Sequence, residues 1–327
     1  MSHGQPKVSI IILNYQGLSS LGPLLDEAIF SAIEQDYPDV EVLFIDNGSS
    51  DESVSHVSNK YGNKVKVVRL GKNYGFCLGN NLAVAHSSPS AKYLLFMNPD
   101  VILAKDYVRK LVDYLEKNPS VAIIHGLGIN PLTGKGSIGG FLNLHGGYSI
   151  IEVFTRSFPC TCYNILIAFG AAMLVRKDVF KRAGMFPAEF FMYSDEADLG
   201  FRIWAMGYRI LGTNASSYQH YVSGITSKHS SLSMYYILRN RLLLIIRYFY
   251  GKELIKALLW CIIYYIAGLT IKSIKSKFRV RLILRAVDYI IKNLKHELRH
   301  RLKWQTLIKA RWRLLKCFLV KSNVVYI

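Results

Sequence analysis

Hydrophobic and polar positions alternate in short blocks along the first part of the chain. A nearly continuous apolar run occurs at Val8–Leu13, as expected for a strand that is buried on both faces of a parallel sheet. Further strands are predicted at Val40–Ile45, Val65–Leu70 and Tyr93–Met97. Helical patterns lie between them, at Leu21–Gln35, Glu52–Tyr61 and, after a glycine-punctuated start, Asn73–Ala85. Repeated strand–helix units predict a doubly wound α/β domain with right-handed crossovers.

Polar side chains follow three of these predicted strands, directly where each strand ends. They are Asn14 with Tyr15, Asp46 with Asp51, and Asn98 with Asp100. One such strand end is an ordinary turn, because Asp and Asn are common turn residues. Ligands of open α/β sheets bind beyond the carboxyl ends of the strands. Three polar strand ends at one edge therefore predict a site that holds a nucleotide and a cation.

An acidic cluster, Asp195–Asp198, opens a later helical pattern. Ser194 is in the position of an N-cap for a helix that runs to about Met206. The helix dipole favours ionised carboxylates in the first turn, and a general base must be ionised to accept a proton. The alternative is that these carboxylates only stabilise the helix. Asp198 and Arg202 are four residues apart, so they can pair and fix this helix.

The basic charge of the chain lies in its last hundred residues. Residues 1–227 carry 19 basic and 19 acidic side chains, whereas residues 228–327 carry 22 basic and 3 acidic ones, which accounts for the whole net charge of +19. On a helix over Arg279–Lys303, one stripe about 80° wide is basic: Arg281, Arg285, Lys292, Lys295, Arg299 and Lys303. A separate face is apolar: Val280, Ile283, Leu284, Val287, Ile290, Ile291, Leu294, Leu298 and Leu302.

This pattern predicts a basic amphipathic region at an anionic membrane surface, with Trp260, Trp304 and Trp312 as interfacial anchors. The alternative is a helical cap with solvated Lys and Arg. Nucleic acid is a less favoured partner, because no nucleic-acid-binding motif is present. The uncharged stretches Ser157–Val175 and Ala257–Ile271 fall short of the roughly 20 apolar residues of a membrane span. We expect the first in the core and the second buried or interfacial, without excluding a single span.

The cysteines and the start of the chain favour a reducing compartment. The five cysteines form no CxxC pair, so a disulfide framework or a zinc ribbon is not expected. The apolar run at Val8–Leu13 is too short for a signal peptide. We therefore expect the protein at the cytoplasmic face of the membrane.

The order and spacing of several motifs resemble glycosyltransferase family 2, which has a GT-A fold. The matching segments are Val8–Tyr15, Phe44–Asp51, Asn73–Phe76, Phe96–Val101, Phe169–Arg176 and Phe190–Leu199. Asn-Pro-Asp at 98–100 is similar to the rhamnosyltransferase-like branch, where it stands in place of Asp-x-Asp. The resemblance implies a Rossmann-like, mostly parallel sheet flanked by helices, with a basic helical C-terminal extension.

The resemblance also implies how the chain is divided. Residues 1–227 are expected to form the catalytic domain, with a nucleotide-sugar half at about 1–125 and an acceptor half at about 126–227. Residues 228–327 match the family only loosely and are expected to form the membrane-associating region.

The implied reaction is an inverting transfer of a sugar from a UDP- or dTDP-sugar to a hydroxyl of a glycan or lipid-linked glycan. The resemblance assigns the donor to Asn14, Tyr15, Asp46, Asn73, Gly75 and Asn98. The Asp46 carboxylate would accept from the N3–H of uracil or thymine. Asp100 would bind Mn²⁺ or Mg²⁺ at the donor diphosphate, with His220 as a further ligand unless that histidine is only structural.

The general base is expected in the acidic cluster, and the resemblance leaves Glu196 and Asp195 as candidates, with Glu196 first. Arg239, Asn240 and Arg241 could reach the diphosphate or begin the membrane-facing region. Two other functions stay open. One is transfer to a polyprenyl phosphate, which needs no base. The other is an inactive sugar-nucleotide-binding scaffold at the membrane.

Overall fold

The computed structural model describes residues 4–143, 147–153, 161–221, 231–270, 276–320 and 324–326. Its strands, in chain order, are β1 Val8–Asn14, β2 Val40–Asp46, β3 Lys66–Arg69, β4 Tyr93–Met97, β5 Val101–Leu103, β6 Val121–Ile129, β7 Gly136–Asn143, β8 Tyr148–Val153, β9 Cys162–Asn164, β10 Ala172–Arg176, β11 Arg209–His220, β12 Leu319–Val320 and β13 Val324–Tyr326.

The helices flank this sheet and fill the C-terminal third. They are α1 Gly17–Leu21, α2 Pro23–Ile33, α3 Ser53–Tyr61, α4 Gly75–Val84, α5 Tyr107–Lys117, α6 Lys177–Arg182, α7 Asp195–Ala205, α8 Ser231–Tyr248, α9 Gly251–Thr270, α10 Ser276–Ala310 and α11 Trp312–Lys316. The predicted helix at Leu21–Gln35 corresponds to α2, and the short helix α1 precedes it. Gly22, at φ 55°, ends α1, and Pro23 is the first residue of α2, a position where its missing N–H costs nothing.

The first half of the sheet is parallel, as the apolar runs predict. Its order is β4-β1-β2-β3. Side chains alternate between the two faces, and both faces are covered. Ile11 and Leu43 belong to one core cluster, whereas Ile10 and Phe44 belong to the other. Such double burial explains the unbroken apolar runs.

The register of the parallel half brings the polar strand ends together. Asn14 and Asp46 are partners at the ends of β1 and β2. The neighbouring strand β4 pairs with β1 up to Met97, immediately before Asn98. The predicted convergence of these strand ends is therefore a direct consequence of the pairing.

The second half of the sheet is mixed. Strand β10 is antiparallel to both β4 and β6, and the long β11 is parallel to β6 but antiparallel to β5. The β11–β5 pairing sets His220 opposite Val101. This register places the end of β11 beside Asp100.

The C-terminal helices pack against the sheet domain through α7. Helix α10 contacts both α8 and α7, and its packed face includes Leu282, Ala286, Glu297 and Trp304, all with at most 6% of their surface exposed. The expectation that Trp304 anchors the chain in a membrane interface is therefore wrong, because its ring lies inside the protein. In the described ranges, no helix combines the length and apolarity needed to cross a bilayer.

The two uncharged stretches both contribute to packing. The first begins outside the described residues, and its later part, Ile165–Ala168, is buried in the core. In the second, Ala257 and Cys261 are buried, whereas Leu259 and Trp260 are about half exposed.

Candidate active site

The ends of β1 and β2 form a polar floor at the edge of the sheet. The Asn14 side chain is fully buried, and its Nδ2 donates to Ser49 Oγ at 3.2 Å. Among the residues that the structure describes, its Oδ1 has no hydrogen-bond partner. Asp46 is 4% exposed and accepts the Ser49 backbone N–H at 3.3 Å on each oxygen. Tyr15 lies at the rim of this floor, 37% exposed.

A glycine turn is fastened to this floor by Asn47, a residue that the sequence patterns did not single out. The Asn47 side chain accepts the Tyr74 N–H at 3.0 Å and donates to Asn73 Oδ1 at 3.2 Å. Asn73 Oδ1 in turn accepts the Gly75 N–H at 2.8 Å. Gly75 has φ +75°, and a Cβ there would lie 2.5 Å from the Phe191 carbonyl oxygen. Only glycine fits this contact between the turn and the loop before α7.

Asp100 and His220 come together next to this edge. His220 Nε2 lies 3.3 Å from Asp100 Oδ1, and both side chains are largely buried, at 27% and 7% exposure. Two ligands at right angles on an ion with bonds of about 2.1 Å are about 3 Å apart. The pair therefore fits a divalent cation, and its oxygen–nitrogen chemistry suits Mn²⁺.

His125 lies behind this pair. It is fully buried, and its Nε2 lies 2.8 Å from the Tyr218 hydroxyl. Burial, and secondarily His220, lowers the pKa of His125 to about 3. His125 is therefore neutral at physiological pH.

A cavity of about 420 Å³ links the donor edge to the acidic cluster. It is lined by Phe76, Asn98, Gly147, Tyr148, Gly170, Ala171, Met192, Tyr193, Ser194, Asp195, Glu196, Ile237 and Arg241. Asn98, which follows strand β4, and Glu196, from the acidic cluster, thus line the same cavity. Ile237 and Arg241 belong to α8, so the C-terminal third contributes a wall of the cavity.

The two candidate bases in this cavity differ in environment. Glu196 is part-exposed; its Oε2 accepts from the Tyr148 hydroxyl at 2.7 Å and its Oε1 from the Gly170 N–H at 3.3 Å. Asp195 is 1% exposed. Burial, followed by the nearby Glu196, raises the pKa of Asp195 well above its usual range. Burial thus disfavours the ionised form of Asp195, and the part-exposed, hydrogen-bonded Glu196 is the better candidate for the base.

The loop before α7 has a strained backbone. Phe191, Tyr193 and Ser194 have φ between 62° and 67°, a region that non-glycine residues rarely adopt. Helix α7 does begin after Ser194, but the expected cap is wrong: the Ser194 side chain makes no capping hydrogen bond. Strained residues cost roughly 1–3 kcal/mol each and persist only where the surroundings hold them.

Helix α8 holds this loop. The buried Asn240 donates from Nδ2 to the carbonyls of Phe190, Met192 and Tyr193, at 3.0, 2.8 and 2.9 Å. Arg239 donates to the Phe190 carbonyl as well, at 3.0 Å. These two side chains are thus committed to the loop, and Arg241 is the member of the triplet that faces the cavity.

A buried ionic cluster then ties α7 to the C-terminal helices. Asp198 is fully buried and pairs with Arg202 at 2.6 Å and with Arg247 at 3.0 Å. Burial alone would raise the pKa of Asp198, but the two guanidinium groups outweigh it and hold that pKa well below its usual range. Arg247 also binds Glu297 at 2.6 Å and pairs with Glu189.

Glu189, His296 and Glu297 bring potential metal ligands within 4.8 Å of one another. Both glutamates already bind the Arg247 guanidinium, so this group is a salt-bridge cluster. Asp100 and His220 are therefore the better candidate ligands for a divalent cation.

The sequence model of glycosyl transferase family 2 matches residues 9–184. This is more than half of the chain, which therefore belongs to that family of glycosyltransferase enzymes. An uncharacterised glycosyltransferase of Haemophilus influenzae is 33% identical over 118 residues, 36% of this chain and 35% of that protein. The chain thus matches only about a third of that relative's length.

Two further similarities concern the fold and a more specific relative. The N-acetylglucosaminyl-diphospho-decaprenol L-rhamnosyltransferase of Mycobacterium tuberculosis is 24% identical over 64% of this chain and 75% of that protein. A mannosyltransferase of Pyrobaculum calidifontis, solved with GDP-mannose and Mn²⁺, superimposes with a TM-score of 0.56 at 16% identity, covering 94% of this chain and 87% of that one. This likeness confirms the GT-A fold.

Several site residues were outside the reach of the sequence patterns. Tyr148 lies 48 positions before Glu196. Asn240 was expected at the diphosphate or the membrane, whereas it holds the loop at Tyr193, 47 positions earlier. Asn47 was within reach, because it stands between Asp46 and a glycine in a predicted strand-ending turn.

Proposed function

We propose that the protein is a metal-dependent, inverting glycosyltransferase. It moves a sugar from a UDP- or dTDP-sugar to a hydroxyl of a glycan or lipid-linked glycan. The observation that carries this proposal is that one cavity is lined both by Asn98, at the polar strand ends, and by Glu196, a hydrogen-bonded carboxylate. A donor sugar between the two would have its anomeric carbon within reach of an acceptor held at Glu196.

The donor is held by the chain's own groups at the sheet edge. Asp46 accepts from the N3–H of the pyrimidine, and the unpartnered Oδ1 of Asn14 offers an acceptor beneath the nucleoside. The Asn73–Gly75 turn closes over the nucleotide. Asp100 and His220 would hold the Mn²⁺ or Mg²⁺ ion, which stabilises the charge that develops on the leaving diphosphate.

The acceptor is activated by Glu196. Its carboxylate takes the hydroxyl proton as the acceptor oxygen bonds to the anomeric carbon, and the bond from that carbon to the diphosphate oxygen breaks. The nucleoside diphosphate leaves from the opposite face, so the configuration inverts. The Tyr148 hydroxyl and the Gly170 N–H orient the carboxylate for this transfer.

We place the reaction at the cytoplasmic face of the membrane, with residues 1–227 as the catalytic part and 228–327 as the membrane-associating part. The excess basic charge of the second part supports this. The name of the mycobacterial relative, which specifies a diphospho-decaprenol acceptor, also favours a lipid-linked substrate.

A thermal-shift titration with UDP and dTDP, with and without Mn²⁺, tests the donor site. A ligand that binds only the folded state raises stability in proportion to ln(1 + [L]/Kd). We expect a Mn²⁺-dependent shift with one of the nucleotides that Asp100→Ala abolishes. Asp113→Ala, which removes an exposed carboxylate from α5, should keep it. No shift with either nucleotide on folded protein would contradict the proposal.

Transfer by Glu196→Gln tests the base. We expect nucleotide binding to persist and transfer to a hydroxyl acceptor to fall by about 10²-fold or more. Glu27→Gln, an exposed position on α2, is the matched control. Turnover at the wild-type rate would refute the base assignment and favour a phosphate acceptor, which is already ionised.

A further inference from the structure

Helix α10 presents an apolar stripe that nothing in the described structure covers. Six aliphatic side chains are 40–67% exposed. They are Leu284, Val287, Ile291, Leu294, Leu298 and Leu302. Their spacing of three and four residues puts them within an arc of about 80°. We call this set the apolar stripe.

The face of α10 that packs inward is a different one. It carries Leu282, Ala286 and Trp304, and it also buries Glu297, which binds Arg247. The helix is therefore held to α8 and α7 without using the apolar stripe. A row of large aliphatic side chains left in water is unfavourable, and contiguous exposed apolar surface usually marks an interaction site.

A basic stripe lies next to the apolar stripe on the same helix. It consists of Arg281, Arg285, Lys292, Lys295, Arg299 and Lys303, all exposed. Its centre is about 100° around the helix axis from the centre of the apolar stripe. Asp288 is the one acidic residue between these cations, and it pairs with Lys292 at 2.8 Å.

We propose that the apolar stripe inserts into an anionic lipid surface while the basic stripe lies among the headgroups. Interfacial helices have this arrangement, with an apolar face in the acyl boundary and Lys and Arg at the phosphate level. A second copy of α10 fits less well. Pairing two apolar stripes would bring two strongly basic flanks together, and like charges beside such a seam are destabilising.

A groove on the basic side of α10 supports a lipid partner. It has a volume of about 610 Å³ and lies between α8 and α10. Arg285 and Lys292 line it together with Tyr235 and Leu232, the last 51% exposed. Asp288, which pairs with Lys292, lines it as well, so the net charge of the lining is positive through Arg285. Cations beside apolar and aromatic groups suit a phosphate headgroup with its attached chain.

The groove and the active-site cavity share helix α8. Tyr235 lines the groove, whereas Ile237, two residues later, lines the cavity. The two sites are therefore separated by about the width of one helix, roughly 10 Å. Docking at α10 would bring the membrane to the side of the enzyme where a lipid-linked acceptor must enter. The docking deepens the membrane association proposed above for residues 228–327, and this last step rests on the proposed reaction as well.

Vesicle co-sedimentation of the full chain tests the docking. We expect binding to vesicles that contain phosphatidylglycerol and at least ten-fold weaker binding to pure phosphatidylcholine. Ile291→Glu with Leu298→Glu should reduce binding to the anionic vesicles by at least ten-fold. The matched control places the same charge on exposed apolar positions elsewhere, Phe30→Glu with Leu132→Glu, which are 57% and 80% exposed; it should bind like the wild type.

A separate pair of substitutions tests the basic stripe. Lys295→Gln with Arg299→Gln should weaken anionic binding about ten-fold or more, since each cation near such a surface adds appreciable affinity. Lys64→Gln with Lys117→Gln removes two exposed cations from the sheet domain and should have little effect.

Three results would overturn the docking. They are a wild-type chain that ignores anionic vesicles, a stripe variant that binds as well as the wild type, and a dimer in sedimentation velocity that the stripe variant makes monomeric. The nucleotide thermal shift, measured on the same proteins, separates the two proposals. A wild-type chain that shows the nucleotide thermal shift but does not bind vesicles would refute the docking and leave the proposed reaction intact. Absence of the nucleotide shift from a wild type that binds vesicles concerns only the proposed reaction.

Discussion

Replacing Asn240 by alanine would remove the side chain that holds the loop before α7. The Phe190 carbonyl keeps a donor in Arg239, so the carbonyls of Met192 and Tyr193 are the two that lose theirs. A buried carbonyl without a donor costs about 1–3 kcal/mol. For two carbonyls this sum is about 2–6 kcal/mol. Because the Met192 and Tyr193 carbonyls are only part-buried and water can replace part of the lost bonding, we expect Asn240→Ala to lower the free energy of unfolding by about 2–4 kcal/mol.

The same change should lower activity by more than the stability loss explains. Phe191, Tyr193 and Ser194 hold positive φ angles, and relief of their strain, roughly 1–3 kcal/mol each, would let the loop relax. Glu196 follows directly on this loop. A displacement of about 1 Å at a reacting group can cost about 10²-fold in rate, so we expect a kcat loss of that order with nucleotide binding retained.

Urea unfolding followed by circular dichroism gives the stability, and transfer is measured well below the unfolding transition. Asn293→Ala is the control, because Asn293 only donates to the Tyr289 carbonyl one turn back in α10. It should cost less than about 1 kcal/mol and leave kcat unchanged. A folded Asn240→Ala with full kcat would show that the loop does not position Glu196, and an unchanged stability would show that its hydrogen bonds contribute nothing.

Three further predictions concern other parts of the chain. Gly75→Ala should destabilise the protein and weaken its nucleotide thermal shift, because the new Cβ would collide with backbone and φ is +75°; an unchanged shift would contradict this. Arg247→Met removes the guanidinium that pairs with the buried Glu297 and one of the two that pair with Asp198, and should cost about 3–5 kcal/mol in urea unfolding, whereas Arg182→Met, from an exposed pair, should cost at most about 1 kcal/mol. Burial lowers the pKa of His125 to about 3 and of His300 to about 4, from 6.5. As the pH falls, the unfolded chain therefore binds protons first. The free energy of unfolding is at its full value above pH 6.5 and falls below that pH, by up to about 1.4 kcal/mol per pH unit for each histidine. His300→Gln should make this dependence on pH shallower, and a variant with the same pH dependence as the wild type would refute the contribution of His300.

The convergence of the polar strand ends was predictable, because it depends on local sequence. Buried parallel strands leave continuous apolar runs, and a polar residue after such a run marks the strand end. The pairing of Asn14 with Asp46 then follows from the sheet register. By contrast, the Tyr148 hydroxyl reaches Glu196 from a strand 48 residues away. No local pattern encodes such a contact.

Helix α10 shows a second limit of sequence patterns. The apolar stripe has the spacing of a packed helix face, yet the packed face includes Glu297. This carboxylate is buried because Arg247, 50 residues earlier, pairs with it. The inward face of α10 therefore depends on Arg247, a residue that lies outside this helix.

The double role of α8 affects how members of this family can diverge. The family match ends at residue 184, whereas Glu196 and the α8 residues Ile237 and Arg241, which line the same cavity, lie beyond it. Helix α8 both shapes this wall and, through Asn240, fixes the loop that precedes Glu196. Exchanging the C-terminal third between relatives would therefore change acceptor preference and catalytic rate together, while the nucleotide preference would stay with the recipient's first half.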